Sequence, residues 1–281
     1  MSAKRLKTHR VEKPWGRHHL WPGFPDPAPG SEPVGEIWFQ DESDDSPELL
    51  VKYLFTAEKL SIQVHPDDAA ARASGHARGK DEAWVILAAE PQSTIAIGTK
   101  EPVDHETLRA AALGGSIEQL VDWKPVKAGD VFYSPAGTVH AIGAGITLVE
   151  VQQNVDLTYR LYDYGRPREL HLDEGVTVSD ARPFVPNFTP QDLAPGRSIL
   201  AEGPKFVLER WRPDDARTIM LPQGVPGWFV PVTGAGTIDG AGWKAGETWL
   251  VEDSVQLTAE AGSDILFAYP TPRRLNTIIG G

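Results

Sequence analysis

The segment that decides the fold reads Ser61-Ile62-Gln63-Val64-His65-Pro66-Asp67-Asp68. The residues before it, 49–60, are dense in β-branched, aromatic and aliphatic side chains and predict a strand. Because side chains alternate between the two faces of a strand, Gln63 and His65 point to one face and the aliphatic residues to the other. Pro66 ends the strand, because it has no N–H to donate to a sheet. The polar pair is either the start of a metal site or a surface pair on a half-exposed strand.

Two later segments supply further donor side chains. Residues 80–87 predict a second strand, on which Glu82 shares a face with aromatic and aliphatic residues. A carboxylate on such a face is costly unless it is paired or bound to a cation. Residues 129–142 predict a strand, a Pro-x-Gly turn and a further strand that carries His140 between apolar residues. A set of imidazole and oxygen donors suits Zn²⁺, and equally Mn, Fe, Co and Ni. The candidate ligands are Gln63, His65, Glu82 and His140.

Composition limits the class of protein. A chain of 281 residues makes one large domain or two packed ones. It contains no cysteine, which excludes disulfides and thiolate ligands and fits a cytoplasmic protein. No apolar run reaches the length of about 18 residues that a membrane-spanning helix needs, and the basic N-terminus lacks the apolar segment of a secretory signal. The formal net charge of −12 argues against binding to nucleic acid or anionic membranes.

The motifs resemble those of the cupin superfamily. The second cupin motif is matched by Gly129, Pro135, Gly137 and His140, without the asparagine that usually follows the histidine. Gln63-x-His65 followed by Glu82 resembles a variant of the first cupin motif, in which glutamine replaces the first histidine. This variant is typical of the type I mannose-6-phosphate isomerase family. The chain resembles the short bacterial form of that family over residues 10–175, since no long helical insertion separates Glu82 from His140.

Further segments carry the same resemblance. They are Trp15-Gly16, Gly35-Glu36-x-Trp38, residues 50–54, Gly79-Lys80-x-Glu82-x-Trp84, Glu150-x-Gln152-Gln153 and Asp156-x-Thr158-Tyr159-Arg160-x-Tyr162-Asp163-Tyr164. The resemblance implies one zinc ion per chain. It also implies an enzyme that interconverts mannose 6-phosphate and fructose 6-phosphate by proton transfer through an enediol.

Four residues are candidates for the chemistry. Arg160 matches the catalytic arginine of the family, and its fixed charge suits an enediolate. Alternatively it is a structural partner of Asp156 or Asp163. Glu150 lies among apolar residues on a predicted strand, where burial would raise its pKa towards that of a useful base, unless it too is a structural partner. Ser61 and Lys80 resemble substrate-contact positions of the family and would hold polar or phosphate groups. The alternative for Lys80 is a plain surface lysine.

The predicted fold is all-β, with two cupin-like β-barrels of the jelly-roll type and short helices between strands. Residues 1–185 are expected to form a metal-binding cupin domain with an N-terminal wrap, of which residues 1–10 are a loose arm and residues 11–35 are irregular. Residues 186–196 are rich in proline and predict a linker. Residues 197–281 repeat the rhythm of the first barrel faintly, contain no histidine, and predict a degenerate cupin-like domain without a metal.

The expected partner is a small sugar phosphate, and the expected assembly is a monomer or a homodimer. Three other functions stay open on the sequence. A cupin isomerase of another sugar or sugar phosphate would carry the same motifs. A metal-dependent cupin oxygenase would usually have more histidine ligands, and Gln63 counts against it. A non-catalytic carbohydrate-binding cupin would be expected to have lost part of the set that this chain retains.

Overall fold

The computed structural model describes residues 2–21, 23–42, 47–213, 216–276 and 278–280. The strands up to residue 162 are β1 (Ala3–Arg5), β2 (Lys7–Arg17), β3 (Val34–Gln40), β4 (Leu49–Thr56), β5 (Ile62–Val64), β6 (Glu82–Ala89), β7 (Thr94–Thr99), β8 (Val121–Pro125), β9 (Val131–Ser134), β10 (His140–Ile142), β11 (Ile146–Gln153) and β12 (Tyr159–Tyr162). The later strands are β13 (Gln191–Ala194), β14 (Arg197–Glu202), β15 (Val207–Trp211), β16 (Arg217–Ile219), β17 (Gly227–Thr233), β18 (Ala235–Ile238), β19 (Ala241–Lys244), β20 (Trp249–Val251), β21 (Val255–Ala259), β22 (Asp264–Tyr269) and β23 (Ile279–Gly280). The helices are α1 (Asp68–Ala73), α2 (His105–Gly114), α3 (Ile117–Leu120) and α4 (Leu172–Val178).

The strands form two barrels, each built from two sheets. In the first barrel a six-stranded sheet, in the order β2-β3-β4-β11-β6-β9, packs on a five-stranded sheet, in the order β12-β5-β10-β7-β8. In the second barrel a seven-stranded sheet, in the order β1-β20-β17-β22-β15-β14-β13, packs on a five-stranded sheet, in the order β19-β18-β21-β16-β23. Short helices lie between strands of the first barrel. The predicted all-β class with two cupin-like barrels is therefore confirmed.

Strand β4 shows how side-chain alternation joins the two barrels. All of its residues are buried, because both faces of the six-stranded sheet are covered. Val51, Tyr53 and Phe55 point to the face that packs against the seven-stranded sheet of the second barrel. Lys52 and Leu54 point the other way, into the first barrel, where they line a cavity. The second barrel thus covers the outer face of the sheet whose inner face carries the candidate site.

The N-terminal segment differs from the prediction. Residues 3–5 are not a loose arm, since β1 pairs with β20 and adds an edge strand to the second barrel. Residues 7–17 form an eleven-residue strand, and β2 pairs with β3 at the edge of the six-stranded sheet. The first half of β2 is exposed on both faces, so its sequence shows no apolar alternation that would have predicted a strand.

Capping aspartates begin two of the helices. Asp67 caps α1, and its side chain accepts a hydrogen bond from the amide of Ala70. Asp104 caps α2 through the amide of Thr107. Within the predicted linker, β13 pairs with β14, and the division of the chain into domains stays a prediction. No helix among the described residues is long and apolar enough to cross a membrane.

Candidate metal centre and active site

Two rows of side chains, one on each sheet of the first barrel, build the site. On the five-stranded sheet, Gln63 of β5 is paired on one side with His140 of β10 and on the other with Arg160 of β12. On the six-stranded sheet, Glu150 of β11 is paired with Lys52 of β4 on one side and with a tryptophan of β6 on the other. Because cross-strand neighbours point to the same face, strand register alone sets each row side by side.

Three of the four predicted ligands form a tight buried cluster. The Nε2 atom of His65 lies 3.3 Å from Oε1 of Glu82, and the Nε2 atom of His140 lies 3.5 Å from Oε2 of Glu82. One ligand atom from each of these residues falls within 4.8 Å of the others. At most 2% of each residue is exposed, so the cluster is shielded from bulk water.

Both imidazoles are oriented by the backbone. The Nδ1 atom of His65 donates to the carbonyl of Leu157 at 2.9 Å, and the Nδ1 atom of His140 donates to the carbonyl of Thr138 at 2.9 Å. A ring that carries its proton on Nδ1 presents a lone pair on Nε2. The Nε2 atoms are the ones that face Glu82, which is the arrangement in which outer hydrogen bonds prepare histidines to bind a metal.

The predicted Pro-x-Gly turn brings His140 to the cluster. The amide of Thr138 donates to the carbonyl of Pro135, which closes the turn. Gly137 has a φ of 87°, a left-handed conformation that favours glycine, and its amide donates to the carbonyl of His65. The turn that precedes one ligand is therefore fastened to the backbone of another.

The cluster fits a divalent cation. Neither oxygen of Glu82 accepts a hydrogen bond from any described residue, although the Lys80 ammonium lies 2.7 Å from Oε1 as an ion pair. The single ion pair leaves the other buried oxygen, Oε2, without a hydrogen-bond partner among the described residues, and a cation bound between Glu82 and the two imidazoles would supply one. Four donors at about 2.0–2.1 Å from a tetrahedral ion lie roughly 3.3 Å apart, close to the separations of the histidine nitrogens from Glu82.

Gln63, the fourth candidate ligand, lies at the edge of the cavity. Its side-chain nitrogen lies 3.3 Å from Nε2 of His140, and its oxygen accepts a hydrogen bond from Ser61 at 3.1 Å. Rotating the amide by half a turn places the oxygen towards the cluster and lets the nitrogen donate to the Ser61 hydroxyl. In the first orientation the amide nitrogen donates to the Nε2 lone pair of His140. The second sets the amide oxygen opposite that lone pair, which is favourable only with a cation between them, and it then offers the oxygen ligand that the sequence predicted.

Burial and charge set the protonation of these groups. Burial, aided by Lys80, lowers the pKa of His65 to about 4, and burial also lowers the pKa of His140. Burial opposes ionisation of Glu82, but Lys80 holds the pKa of its carboxyl well below the usual range. Neutral imidazoles and an ionised carboxylate are the forms that bind a metal.

Six of the eight predicted site residues line one cavity of about 300 Å³ in the first barrel. They are Ser61, Gln63, Lys80, Glu82, Glu150 and Arg160. Lys80 is only 5% exposed, so its interpretation as a surface lysine is wrong. Burial opposes its charge, but Glu82 and Glu150 outweigh that effect and raise the pKa of Lys80. The cavity wall therefore carries a buried ammonium beside the metal ligands.

Arg160 is not engaged by Asp163. That aspartate is held instead by Arg166 at 2.7 Å and by Arg168 at 2.6 Å. One terminal nitrogen of Arg160 donates to the carbonyl of Glu169 at 2.7 Å, while its buried Nε has no hydrogen-bond partner among the described residues. Burial and the nearby Arg168 lower the pKa of Arg160, but a guanidinium stays charged at physiological pH. Arg160 thus turns an incompletely paired cation towards the cavity.

Glu150 is buried and bound on both oxygens. Oε1 lies 3.4 Å from the ammonium of Lys52, and Oε2 accepts a hydrogen bond from the Trp84 indole at 3.1 Å. Burial and the charge of Glu82 raise the pKa of Glu150, against the opposing effect of Lys52. Glu150 therefore has the raised pKa predicted for a base, and it also has the structural partners that were predicted as the alternative.

The cavity also contains polar residues for which the sequence had suggested no role. They are Lys13, Glu36, Trp38, Lys52 and Arg168, and the cavity is also lined by Asp156 and Thr158. Lys52 lies between Glu36 at 3.7 Å and Glu150 at 3.4 Å, and 4.5 Å from the centre of the Trp38 ring. The sequence could have indicated Lys52, because it is a charged residue on a strand that is otherwise almost entirely apolar. The same pattern identified Glu150 as a candidate.

The fold and the site define an all-β protein of two cupin-like barrels, one of which holds a buried cluster able to bind a metal. No protein-family model matches the chain. It is 38% identical over 174 residues to mannose-6-phosphate isomerase of Streptococcus mutans, covering 58% of this chain and 54% of that protein. It is 42% identical over 157 residues to mannose-6-phosphate isomerase ManA of Bacillus subtilis, covering 53% and 49%. The predicted resemblance is thereby confirmed, and the chain spans about half the length of the curated relatives it matches.

Solved structures share the fold over nearly the whole chain. The mannose 6-phosphate isomerase of Bacillus subtilis superposes with a TM-score of 0.82 at 24% identity, covering 95% of this chain and 99% of that one. A mutant of phosphomannose isomerase from Salmonella typhimurium superposes with a TM-score of 0.74 at 15% identity, covering 96% and 100%. At these identities the likeness shows a common fold.

Proposed function

We propose that the chain is a metal-dependent aldose–ketose isomerase that interconverts mannose 6-phosphate and fructose 6-phosphate. One observation carries the proposal: Glu82, which belongs to the buried cluster with His65 and His140, lines the same cavity as Glu150 and Arg160. The names of the relatives support the same substrate. We further propose a cytoplasmic location, in keeping with the lack of cysteine, and a monomer or homodimer.

The proposed metal is one zinc ion per chain. Two imidazoles, one carboxylate and one amide oxygen would hold it, and a single charged ligand leaves the site a net positive charge. A divalent ion bound there would polarise a sugar oxygen as a Lewis acid. The residues that would hold it are Gln63, His65, Glu82 and His140.

Glu150 is the proposed base. Its carboxylate removes the proton from C2 of the aldose, which leaves a 1,2-enediolate, and then returns the proton to C1. A hydroxyl proton moves from O2 to O1 in the same overall change, so that the ketose has the same composition as the aldose. The raised pKa of Glu150 suits this role, because a base works best with a pKa near the operating pH.

Arg160 and Lys80 are the proposed cationic contacts. The guanidinium of Arg160 stabilises the negative charge that develops on the enediolate, and its charge does not depend on the proton transfer. Lys80, and Ser61 beside Gln63, hold polar or phosphate oxygens of the sugar. These cations lie within a chain of net charge −12, so an anionic substrate meets a local field opposite to the global one.

The test is an assay of purified protein with mannose 6-phosphate, following fructose 6-phosphate before and after chelation. We expect activity that the chelator removes and that Zn²⁺ restores. No turnover by protein shown to contain one equivalent of metal would refute the substrate assignment. Other aldoses, and then oxygen consumption with Fe²⁺, would be assayed next to separate the remaining isomerase and oxygenase alternatives.

A further inference from the structure

A hairpin of the second barrel is linked, through Asp68 and Tyr133, to the segment that carries Lys80 and Glu82. Residues 203–206 form the turn between β14 and β15, which is closed by a hydrogen bond from the amide of Gly203 to the carbonyl of Phe206. This turn does not line the cavity of the first barrel. It is linked to the segment 79–82 by two separate connections, each of which passes through one intervening side chain.

The first connection is an ion pair. The ammonium of Lys205 donates to Oδ2 of Asp68 at 2.6 Å. The other oxygen of Asp68 accepts hydrogen bonds from the amide of Gly79 at 2.8 Å and from the side chain of Gln153 at 3.1 Å. Gly79 immediately precedes Lys80, so Lys205 fixes the start of the segment through one intervening carboxylate.

The second connection is a buried aromatic contact. The rings of Phe206 and Tyr133 pack with centroids 5.1 Å apart, and a Cβ atom at Gly203 would lie 1.9 Å from Cζ of Tyr133. The Tyr133 hydroxyl donates to Asp81 at 2.7 Å, and the other oxygen of Asp81 accepts the amide of Ala136 at 3.0 Å. Asp81 is therefore held between the hairpin and the turn that precedes His140.

We propose that the hairpin 203–206 of the second barrel is a positioning element for the metal centre. Through Asp68 and Tyr133 it fixes the backbone on both sides of Lys80, and hence the direction in which Glu82 faces the two imidazoles. The proposal deepens the function proposed above and rests on the same site, but it concerns metal binding whichever sugar is the substrate. It gives Lys205 and Tyr133 a role in the site although neither lines the cavity.

The test measures binding of Co²⁺ alone to full-length variants, in competition with a chelator of known affinity. Lys205→Met removes the ion pair at a partly exposed position, and Tyr133→Phe removes the hydroxyl but keeps the ring. The conservative rescue is Lys205→Arg. The matched control is Arg273→Met, which removes the exposed ion pair of Arg273 with Glu202 one residue before the hairpin. The absorption spectrum of bound Co²⁺ reports the ligand geometry directly.

We expect Lys205→Met and Tyr133→Phe each to weaken Co²⁺ binding several-fold and to alter its spectrum. The loss should be smaller than the roughly 10- to 100-fold cost of removing a partner bonded directly to a ligand, because both residues act through an intervening aspartate. Lys205→Arg and Arg273→Met should bind as the parent protein does. Unchanged affinity and spectrum in both test variants would overturn the proposal, since a merely structural contact lowers the melting temperature alone. An equal loss in Arg273→Met would overturn it too. Because no sugar is used, the result is independent of the isomerase assay.

Discussion

The ammonium of Lys52 lies 3.4 Å from the carboxylate of Glu150, on a neighbouring strand of the same sheet, and both side chains are almost completely buried. This pair sits in the row of side chains that faces the cluster of His65, Glu82 and His140. A buried carboxylate beside a fixed cation is easier to ionise than the same carboxylate alone. Lys52 therefore limits how far burial raises the pKa of the proposed base.

Replacing Lys52 by methionine tests this relationship. The pKa of Glu150 is already raised, and removal of the opposing charge should raise it further. The carboxyl would then stay protonated, and inactive as a base, up to a higher pH. We expect the acid limb of the kcat/KM profile of Lys52→Met to move to higher pH.

The control for that profile is Lys124→Met, which removes a lysine paired with Asp122 on the surface. Its acid limb should coincide with that of the parent protein. If the limb also stays in place in Lys52→Met, the base is not Glu150. A fall in rate at every pH without displacement of the limb would lead to the same conclusion.

The sequence predicted that His65, Glu82 and His140 come together because these candidate ligands lie in short motifs with strong backbone preferences. Gln63 and His65 share a face by simple alternation, and the Pro-x-Gly turn fixes where His140 enters the barrel. These constraints are local, since each is encoded by a few consecutive residues of the sequence. The match of register between Gln63 and His140 is then set by the neighbouring strands.

The parts that the sequence did not predict depend on contacts between distant segments. Strand β2 is an edge strand with exposed polar residues, so only its pairing with β3 reveals it. Lys52 is 98 residues from Glu150 along the chain, and no local pattern shows that the two are paired across strands. The contact of Lys205 with Asp68 joins residues 137 apart and belongs to the packing of the two barrels.

Replacing His140 by alanine should remove the metal. The substitution deletes one of two imidazoles, and loss of an outer hydrogen bond alone costs about 10- to 100-fold in affinity at metal sites. We expect zinc affinity to fall by more than about a hundredfold. The melting temperature of the parent protein should drop on chelation, whereas that of His140→Ala should not respond.

Metal content by elemental analysis and thermal unfolding with and without chelator measure these effects. The exposed His9 offers a control, since His9→Ala leaves the cluster untouched and should retain both metal and chelator response. Stoichiometric zinc in purified His140→Ala would refute the ligand assignment.

Glu209 in the second barrel should carry a large share of stability. Its carboxylate is fully buried and accepts hydrogen bonds from Arg197 at 2.7 and 2.8 Å, from Trp211 and from Tyr269. Glu209→Ala would leave the guanidinium of Arg197 buried without its partner, and the free energy of unfolding should fall by about 3–5 kcal/mol.

Urea denaturation followed by tryptophan fluorescence measures this loss. Arg212→Ala removes an exposed ion pair with Asp264 and should change the free energy of unfolding by less than about 1 kcal/mol. A change as small as this in Glu209→Ala would show that Arg197 finds another partner.

Arg160 should act on turnover and not on the metal. Its guanidinium lines the cavity, and its backbone is paired with that of Gln63 on the adjacent strand, yet the ligand cluster does not use its charge. Arg160→Ala should lower kcat about 10²- to 10³-fold, the usual effect of removing one group that stabilises a developing oxyanion. Metal content should stay at the level of the parent protein. Arg160→Lys keeps the positive charge but lacks the planar guanidinium, so its kcat should lie between that of the parent protein and that of Arg160→Ala.

Steady-state kinetics with metal analysis of the same samples separates these possibilities. The exposed Arg182, paired with Asp180, provides the control, and Arg182→Ala should retain parental kcat. A rise in KM with unchanged kcat would mean that Arg160 binds substrate and transition state equally, as a phosphate contact would. Loss of metal together with activity would instead make it a structural support for Gln63. Only a fall in kcat at full metal content agrees with a guanidinium that stabilises the enediolate.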